Sequence, residues 1–187
     1  MFGLGTLRKP ITVSYSPRNE KVITVFHGSD GCRENPEMGH NPEELTRDFG
    51  DGFYLSDKEQ SAKEWALRKT KGKPGKITIF DFGIAEAMKD GVVTRFDYPG
   101  PQWAEFVVRN RLRMPTVHKD IVIGPVADNN MYDLLTDYKN GFLTYDEFCD
   151  TLAPYRTRYG DIVEQYAFTT QDSLYYLDYI DCIGARK

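Results

Sequence analysis

Hydrophobic and polar positions alternate at Ile11-Thr12-Val13-Ser14-Tyr15 and, more strongly, at Val22-Ile23-Thr24-Val25-Phe26-His27, which Gly28-Ser29-Asp30-Gly31 stops. Both runs predict strands. A polar loop from Cys32 to Arg47 follows, with one turn of helix expected at Pro42–Leu45. Loops of this length often act as lids or binding loops. In Asp48-Phe49-Gly50-Asp51-Gly52 the two glycines allow a tight turn or a close backbone approach that a Cβ would forbid. Phe53-Tyr54-Leu55 then reads as a short strand, and Ser56-Asp57-Lys58-Glu59 as the capping box of a helix with Ala62, Trp65 and Ala66 on one stripe. This unit places a tyrosine at a strand end beside a tryptophan on a helix. It reads either as a clamp for a planar ring or as a glycine hairpin with two core aromatics.

Lys76 to Phe82 predicts a further strand, and Val92-Val93 the start of another. Trp103, Phe106, Val107 and Asn110 recur at helical spacing after Pro101, with their apolar stripe facing a core. Asp120-Ile121-Val122-Ile123-Gly124-Pro125 is a compact buried strand, and Asp128 is expected to cap a helix carrying Leu134, Leu135 and Tyr138. Glu164 to Thr170 gives a late strand and Leu174 to Ile180 the last one. Strands at both ends, helices between them and no regular βαβ alternation predict an α+β fold with a mostly antiparallel sheet. Residues 1–187 read as one domain.

Composition narrows the chemistry. Hydrophobic residues make up 40% and charged residues 28%, and the net charge of −4 argues against general affinity for nucleic acid or anionic membranes. Cys32, Cys149 and Cys182 are odd in number and lack metal spacing, which predicts reduced thiols inside a cell. The opening residues carry no signal-peptide pattern and no stretch has the length of a membrane span, so a cytoplasmic protein is expected. His27, His40 and His118 are isolated, and no metal is expected. Thr136 to Phe148 echoes a calcium loop at its Gly and Glu, but Thr136 and Tyr138 stand where carboxylates are needed. Thr144-Tyr145-Asp146-Glu147 is better read as a capping box. Walker-type, dinucleotide-fingerprint and Gly-x-Ser-x-Gly motifs are absent from the sequence.

Three elements remain, in order: His27-Gly28-Ser29 at a strand end, Gly52-Phe53-Tyr54 with Trp65, and the Glu164-Gln165 strand. Here the sequence resembles the ADP-ribosyltransferases of the diphtheria-toxin and poly(ADP-ribose) polymerase type, the group named for its His, Tyr and Glu motif. Val22 to Leu177 resembles more closely an uncharacterised bacterial family of ADP-ribosyltransferase-like domains. Its marks are the Asp-Phe-Gly-x-Gly-Phe-Tyr run, Trp103 with Asn110-Arg111, and Asp120 to Asp128. The resemblance implies an ADP-ribosyltransferase-like fold with split, mostly antiparallel sheets, and NAD as co-substrate.

The resemblance also implies roles. His27 would hydrogen-bond the ribose, the Gly28 main chain would pair with the carboxamide, and Tyr54 and Trp65 would stack on the nicotinamide, with His27 and Tyr54 in one pocket. Ser29, Gly52, Phe53, Ala62, Arg111 and Asp128 would line the cofactor site. A Glu at the start of the late strand would stabilise the oxocarbenium-like centre. The alignment departs there, placing Gln165 and not Glu164 at that position. Neighbouring strand residues face opposite sides, so only one of the pair can serve without a bulge. Gln weakens polymer synthesis and favours transfer of a single ADP-ribose to an unidentified protein or nucleic-acid acceptor, in a bacterial toxin or effector restrained by an antitoxin partner. The alternatives are an NAD glycohydrolase, a non-catalytic NAD- or ADP-ribose-binding module, and a structural interaction domain. In the bland reading His27 is a structural histidine, Arg111 a helix-surface cation, Asp128 a helix cap and Glu164 a surface residue of an edge strand.

Overall fold

The computed structural model describes residues 21–38, 47–128, 130–157 and 160–185. The strand expected at Ile11–Tyr15, the turn at Pro42–Leu45 and His40 lie outside these residues. In chain order the elements are β1 (Ile23–Ser29), β2 (Phe53–Ser56), α1 (Glu59–Lys69), β3 (Gly75–Phe82), α2 (Ile84–Lys89) and β4 (Val93–Arg95). There follow α3 (Pro101–Arg111), β5 (Ile121–Pro125), α4 (Met131–Lys139), α5 (Tyr145–Thr151), β6 (Glu164–Phe168), a 3-10 turn (Asp172–Tyr176) and β7 (Leu177–Ala185).

The α+β class and the mostly antiparallel sheet are as expected. The strands form one mixed sheet, ordered β4-β5-β6-β2-β1-β3-β7, in which only β4 and β5 run parallel. The split into two sheets does not appear. Instead, β1 and β2 are joined by a single register pair, Phe26 opposite Ser56, whereas β1 is paired with β3 along its whole length. Past Phe26 the β2 side of β1 has no strand partner among the described residues.

Alternation sorts the side chains cleanly, because successive residues of a strand point to opposite faces. Val25, Phe53, Phe80, Phe82, Tyr166 and Phe168 pack on one face, covered by α2 and the 3-10 turn. On the other face Phe26 and Ile77 pack against Ala62 and Ala66 of α1. Val122 and Ala167 pack there against Trp103, Phe106 and Val107 of α3, and against α4 and α5. Helix α1 thus covers β1 and β3, and α3 to α5 cover β5 and β6. Tyr54 and Ser56 of β2 stand in the strip between the two helical groups.

Local signals succeeded where the caps were simple. Thr144 Oγ1 accepts from the Glu147 N–H at 3.2 Å while Glu147 Oε2 accepts from the Thr144 N–H at 2.8 Å. That reciprocal capping box spends the Glu that a calcium loop would need. The box expected at Ser56–Glu59 does not form, since α1 starts at Glu59 and Ser56 Oγ accepts instead from the Lys58 N–H at 3.2 Å. Helix α4 starts at Met131 with Asn130 at its cap position, so Asp128 lies before the cap, where its carbonyl accepts from the Met131 N–H. The last strand begins at Leu177, after the 3-10 turn, and runs on to Ala185.

Two further expectations are corrected. Cys32 and Cys182 form a disulfide, with Cα atoms 5.9 Å apart, and only Cys149 is a free thiol. The two cysteines are 150 residues apart in sequence, so only the fold shows that they are neighbours. Glu164 is not on an edge strand, because β6 lies between β5 and β2. Among the described residues no helix is long and apolar enough to cross a membrane, and no group of three or more His, Cys, Asp or Glu could hold a metal ion.

Candidate functional site

The quoted sequence marks converge on one carboxylate, that of Asp48, which is 3% exposed. Its Oδ1 accepts from Arg111 Nε at 2.9 Å. Its Oδ2 accepts from the Ala127 N–H at 2.9 Å and from Gln165 Nε2 at 2.8 Å. Asp48 therefore ties the start of the glycine turn to the end of α3, to the chain after β5 and to β6. Arg111 is thus an ion-pair partner and not a free helix-surface cation. Gln165 Nε2 also lies 3.3 Å from the Pro125 carbonyl oxygen, which accepts the Trp103 indole N–H as well.

The turn itself is held by Tyr54. Gly50 sits at φ +82°, a left-handed conformation that favours glycine, and its carbonyl accepts the Tyr54 hydroxyl at 2.6 Å. The same hydroxyl oxygen accepts from the Phe49 N–H at 3.1 Å. Burial, reinforced by the Asp48 carboxylate, pushes the Tyr54 hydroxyl far above its ordinary pKa, so it stays protonated. The Arg47 guanidinium lies over the Tyr54 ring, 5.0 Å from its centroid, and donates to the Gly52 carbonyl. Trp65, 56% exposed on α1, carries the Arg68 guanidinium over its ring at 4.4 Å. Both aromatic faces already hold a planar cation.

Gly28 makes the closest approach between α1 and the sheet. A Cβ built there would lie 1.8 Å from the Ala62 carbonyl oxygen. The absent side chain at Gly28 and the small one at Ala62 are therefore required by helix-on-strand packing. At Gly52 a Cβ would press on the Phe168 carbonyl. Ser29 is fully buried and gives its hydroxyl to the Gly31 carbonyl at 2.6 Å, closing its own loop. Asp128 pairs its main-chain N–H with the Ala153 carbonyl.

His27 corrects the shared-pocket expectation. The Phe26–Ser56 register puts Tyr54 on the α1 face and His27 on the opposite one, with Phe53. The His27 ring stacks on Phe53, centroids 4.3 Å apart at 21°. What joins His27 to Tyr54 is a main-chain contact, Nδ1 to the Tyr54 carbonyl oxygen at 2.8 Å, where the two strands part. A carbonyl only accepts, so Nδ1 carries the proton and Nε2 is left as an acceptor. Burial, partly offset by that hydrogen bond and assisted by Lys69, Arg33 and Arg47, lowers the His27 pKa to about 4. The ring is neutral at pH 7.

The pleat separates Glu164 from Gln165 as expected. Gln165 is on the α1 face, while Glu164 shares the opposite face with Tyr166. Glu164 accepts from Arg95 Nη2 at 2.9 Å and from the Tyr166 hydroxyl at 3.2 Å, and Arg95 also pairs with Asp97. No bulge interrupts β6 against β2 or β5. Of the expected site residues, Gly28, Tyr54, Ala62, Trp65 and Gln165 belong to the α1 side of the sheet. His27, Phe53 and Glu164 belong to the other.

A family model described as a protein of unknown function (DUF3990) matches residues 23–179. The chain belongs to that family. No curated protein matches the chain. The match in this DUF3990 chain begins with the first residue of β1 and ends within β7, so it contains the whole site. Two of its site residues had no role assigned from sequence. Asp48 stood inside the quoted Asp-Phe-Gly run, but only the fold brings Arg111, Ala127 and Gln165 together around it. Arg95, 8% exposed, ends the short strand β4 and carried no motif at all.

Proposed function

We propose that this DUF3990 domain is an NAD-using, ADP-ribosyltransferase-like enzyme that transfers a single ADP-ribose to a macromolecular acceptor. One observation carries the reading: Gly28, Tyr54 and Gln165 share the sheet face on which α1, the helix of Trp65, packs, at the place where β1 and β2 part. The nicotinamide ring of NAD is a planar cation, and the quadrupoles of Tyr54 and Trp65 that hold guanidinium groups favour such a ring as well. Gln165 supplies a neutral hydrogen-bond acceptor suited to a ribose hydroxyl. In this reading His27 holds the Tyr54 main chain in place from the opposite face and does not touch the ribose from within the groove.

Loss of nicotinamide leaves a positive centre that a fixed anion would stabilise. Asp48, the carboxylate beside Gln165, is already paired with Arg111. The site is therefore suited to slow, single transfer more than to polymer synthesis. That same neutrality favours a second reading, a module that binds NAD or ADP-ribose without cleaving it. A role as a bacterial toxin or effector and an antitoxin partner rest on the sequence resemblance alone, and a cytoplasmic place of action on the sequence patterns alone. Incubating the protein with labelled NAD, with and without bacterial lysate, tests the readings. Label on a macromolecule supports transfer, free ADP-ribose supports NAD cleavage, and retention without chemistry supports the binding module. Absence of both binding and turnover would overturn the proposal.

A further inference from the structure

The side-chain amide of Gln165 cannot be turned round. Its Nε2 faces Asp48 Oδ2 at 2.8 Å and the Pro125 carbonyl oxygen at 3.3 Å. A carboxylate paired with a guanidinium and a main-chain carbonyl both only accept hydrogen bonds. The amide must therefore offer its N–H groups to them and turn its Oε1 away. That Oε1 accepts from no described residue and is not sealed from solvent. Asp48 in turn cannot swing aside, since the Ala127 N–H and Arg111 hold its two oxygens.

We infer that Asp48 is a positioning residue that fixes Gln165 as a neutral acceptor with its Oε1 turned away from Asp48 and open to a ligand, so that the ligand group taken there is a donor of the sugar-hydroxyl class. The ligand class rests on the NAD reading, whereas the orientation stands on the geometry alone. The same contacts explain why the chain carries Gln where the resembling enzymes carry Glu. A carboxylate at position 165 would meet Asp48 and a carbonyl with no proton between them. Two carboxylates at that distance cannot both be ionised, so the pair would have to take up a proton.

The experiment is thermal denaturation of Gln165→Glu beside the native protein from pH 5 to pH 8. The shared proton raises the folded-state pKa above the unfolded value. The folded variant then binds more protons than the unfolded chain, and its stability falls as pH rises. Its Tm should lie about 6–12 °C below native at pH 8, with a smaller gap at pH 5. If Gln165→Glu does not fold at pH 8, recovery of the folded variant at pH 5 supports the inference. A native-like Tm at pH 8, a gap that does not change with pH, or the same pH-dependent gap in Gln165→Met, which brings no carboxylate, would overturn it.

A second arm isolates the ligand. Gln165→Met keeps length but removes the acceptor, and calorimetric titration with NAD should show about a tenfold loss of affinity in a folded variant. Unchanged affinity would overturn the donor-ligand assignment. If the native protein binds no NAD, the proposed function and the ligand class fall together, and the pH arm still decides the orientation.

Discussion

Reducing the Cys32–Cys182 bond should cost more stability than losing any single hydrogen bond of the sheet. Cys182 stands opposite Thr78 on β7, and Thr78 Oγ1 accepts from the N–H of Arg33, the residue after Cys32, at 3.0 Å. The bridge thus crosses β3 and fastens the loop after β1 to the edge strand. It closes a loop of 150 residues. In the chain-entropy description that closure removes roughly 17 cal/mol/K from the unfolded state, about 5 kcal/mol at 25 °C, and about 3–5 kcal/mol is the expected working range. The ladder between β3 and β7 survives reduction, so the protein should stay folded but melt about 10 °C lower. Thiol titration in denaturant without reductant should find one thiol, Cys149, and three after reduction. A Cys32→Ser, Cys182→Ser double variant should melt like the reduced protein and ignore added reductant. Three titratable thiols in the air-oxidised protein, or a Tm indifferent to reductant, would refute the bridge. A bridge that forms and persists is at odds with a life spent wholly in a reducing compartment.

The His27 pKa of about 4 lies below the ordinary 6.5, so the unfolded chain binds more protons between those values. That stability is fully present above pH 6.5 and is lost as pH falls towards 4, by about 3 kcal/mol, and His27→Asn should flatten that part of the urea-denaturation pH profile. An unchanged slope would show that His27 is not the group. Tyr54→Phe strands the Phe49 N–H and should cost about 1–3 kcal/mol in urea denaturation, while NAD affinity by calorimetry stays within about twofold if the ring does the stacking. An affinity loss as large as that of Tyr54→Ala would assign the contact to the hydroxyl. Gly28→Ala should cost about 2–4 kcal/mol in the same assay, because the new methyl meets main-chain atoms of α1 that have nowhere to go. A variant as stable as native would mean that α1 sits further from β1.

Elements with one dominant periodicity were legible in the chain. Ile121-Val122-Ile123 is apolar at every position because it is buried on both faces, and the Trp103–Val107 stripe is spaced for a helix packed on one side. Ser56 was misread because a capping box and a strand-end hydroxyl look alike until the helix start is known. The pleat alone required Gln165 and Glu164 to take opposite faces, but which of them shares the face of Tyr54 came only with the pairing of β6 and β2. The pocket was not: that His27 and Tyr54 face opposite ways depends on the Phe26–Ser56 register, and register is a property of two strands that no single stretch encodes. The same holds for Asp48, whose partners come from positions 63 to 117 residues further along the chain.

The placement of charge about Gln165 bears directly on what the domain can do. Glu164 is the nearest acid in sequence, but the sheet lies between it and the groove, and Arg95 neutralises it there. Asp48 is the nearest acid in space, and Arg111 neutralises that one. Moving Glu164 across would need a one-residue slip of β6, which would also turn Tyr166 and Phe168 out of their core and bring Ala167 into it. Freeing Asp48 would need Arg111 to leave a buried carboxylate, a change that typically costs about 3–5 kcal/mol. Either route is expensive enough that, in the proposed reading, the ground-state fold offers a ribose the neutral amide of Gln165 and no unpaired carboxylate. In that reading, binding of NAD and cleavage of its glycosidic bond are separable demands on the site. A partner or acceptor that supplied its own carboxylate at Gln165, or drew Arg111 away from Asp48, would change cleavage far more than binding. Turnover measured at saturating NAD, with and without lysate, is where that difference would register.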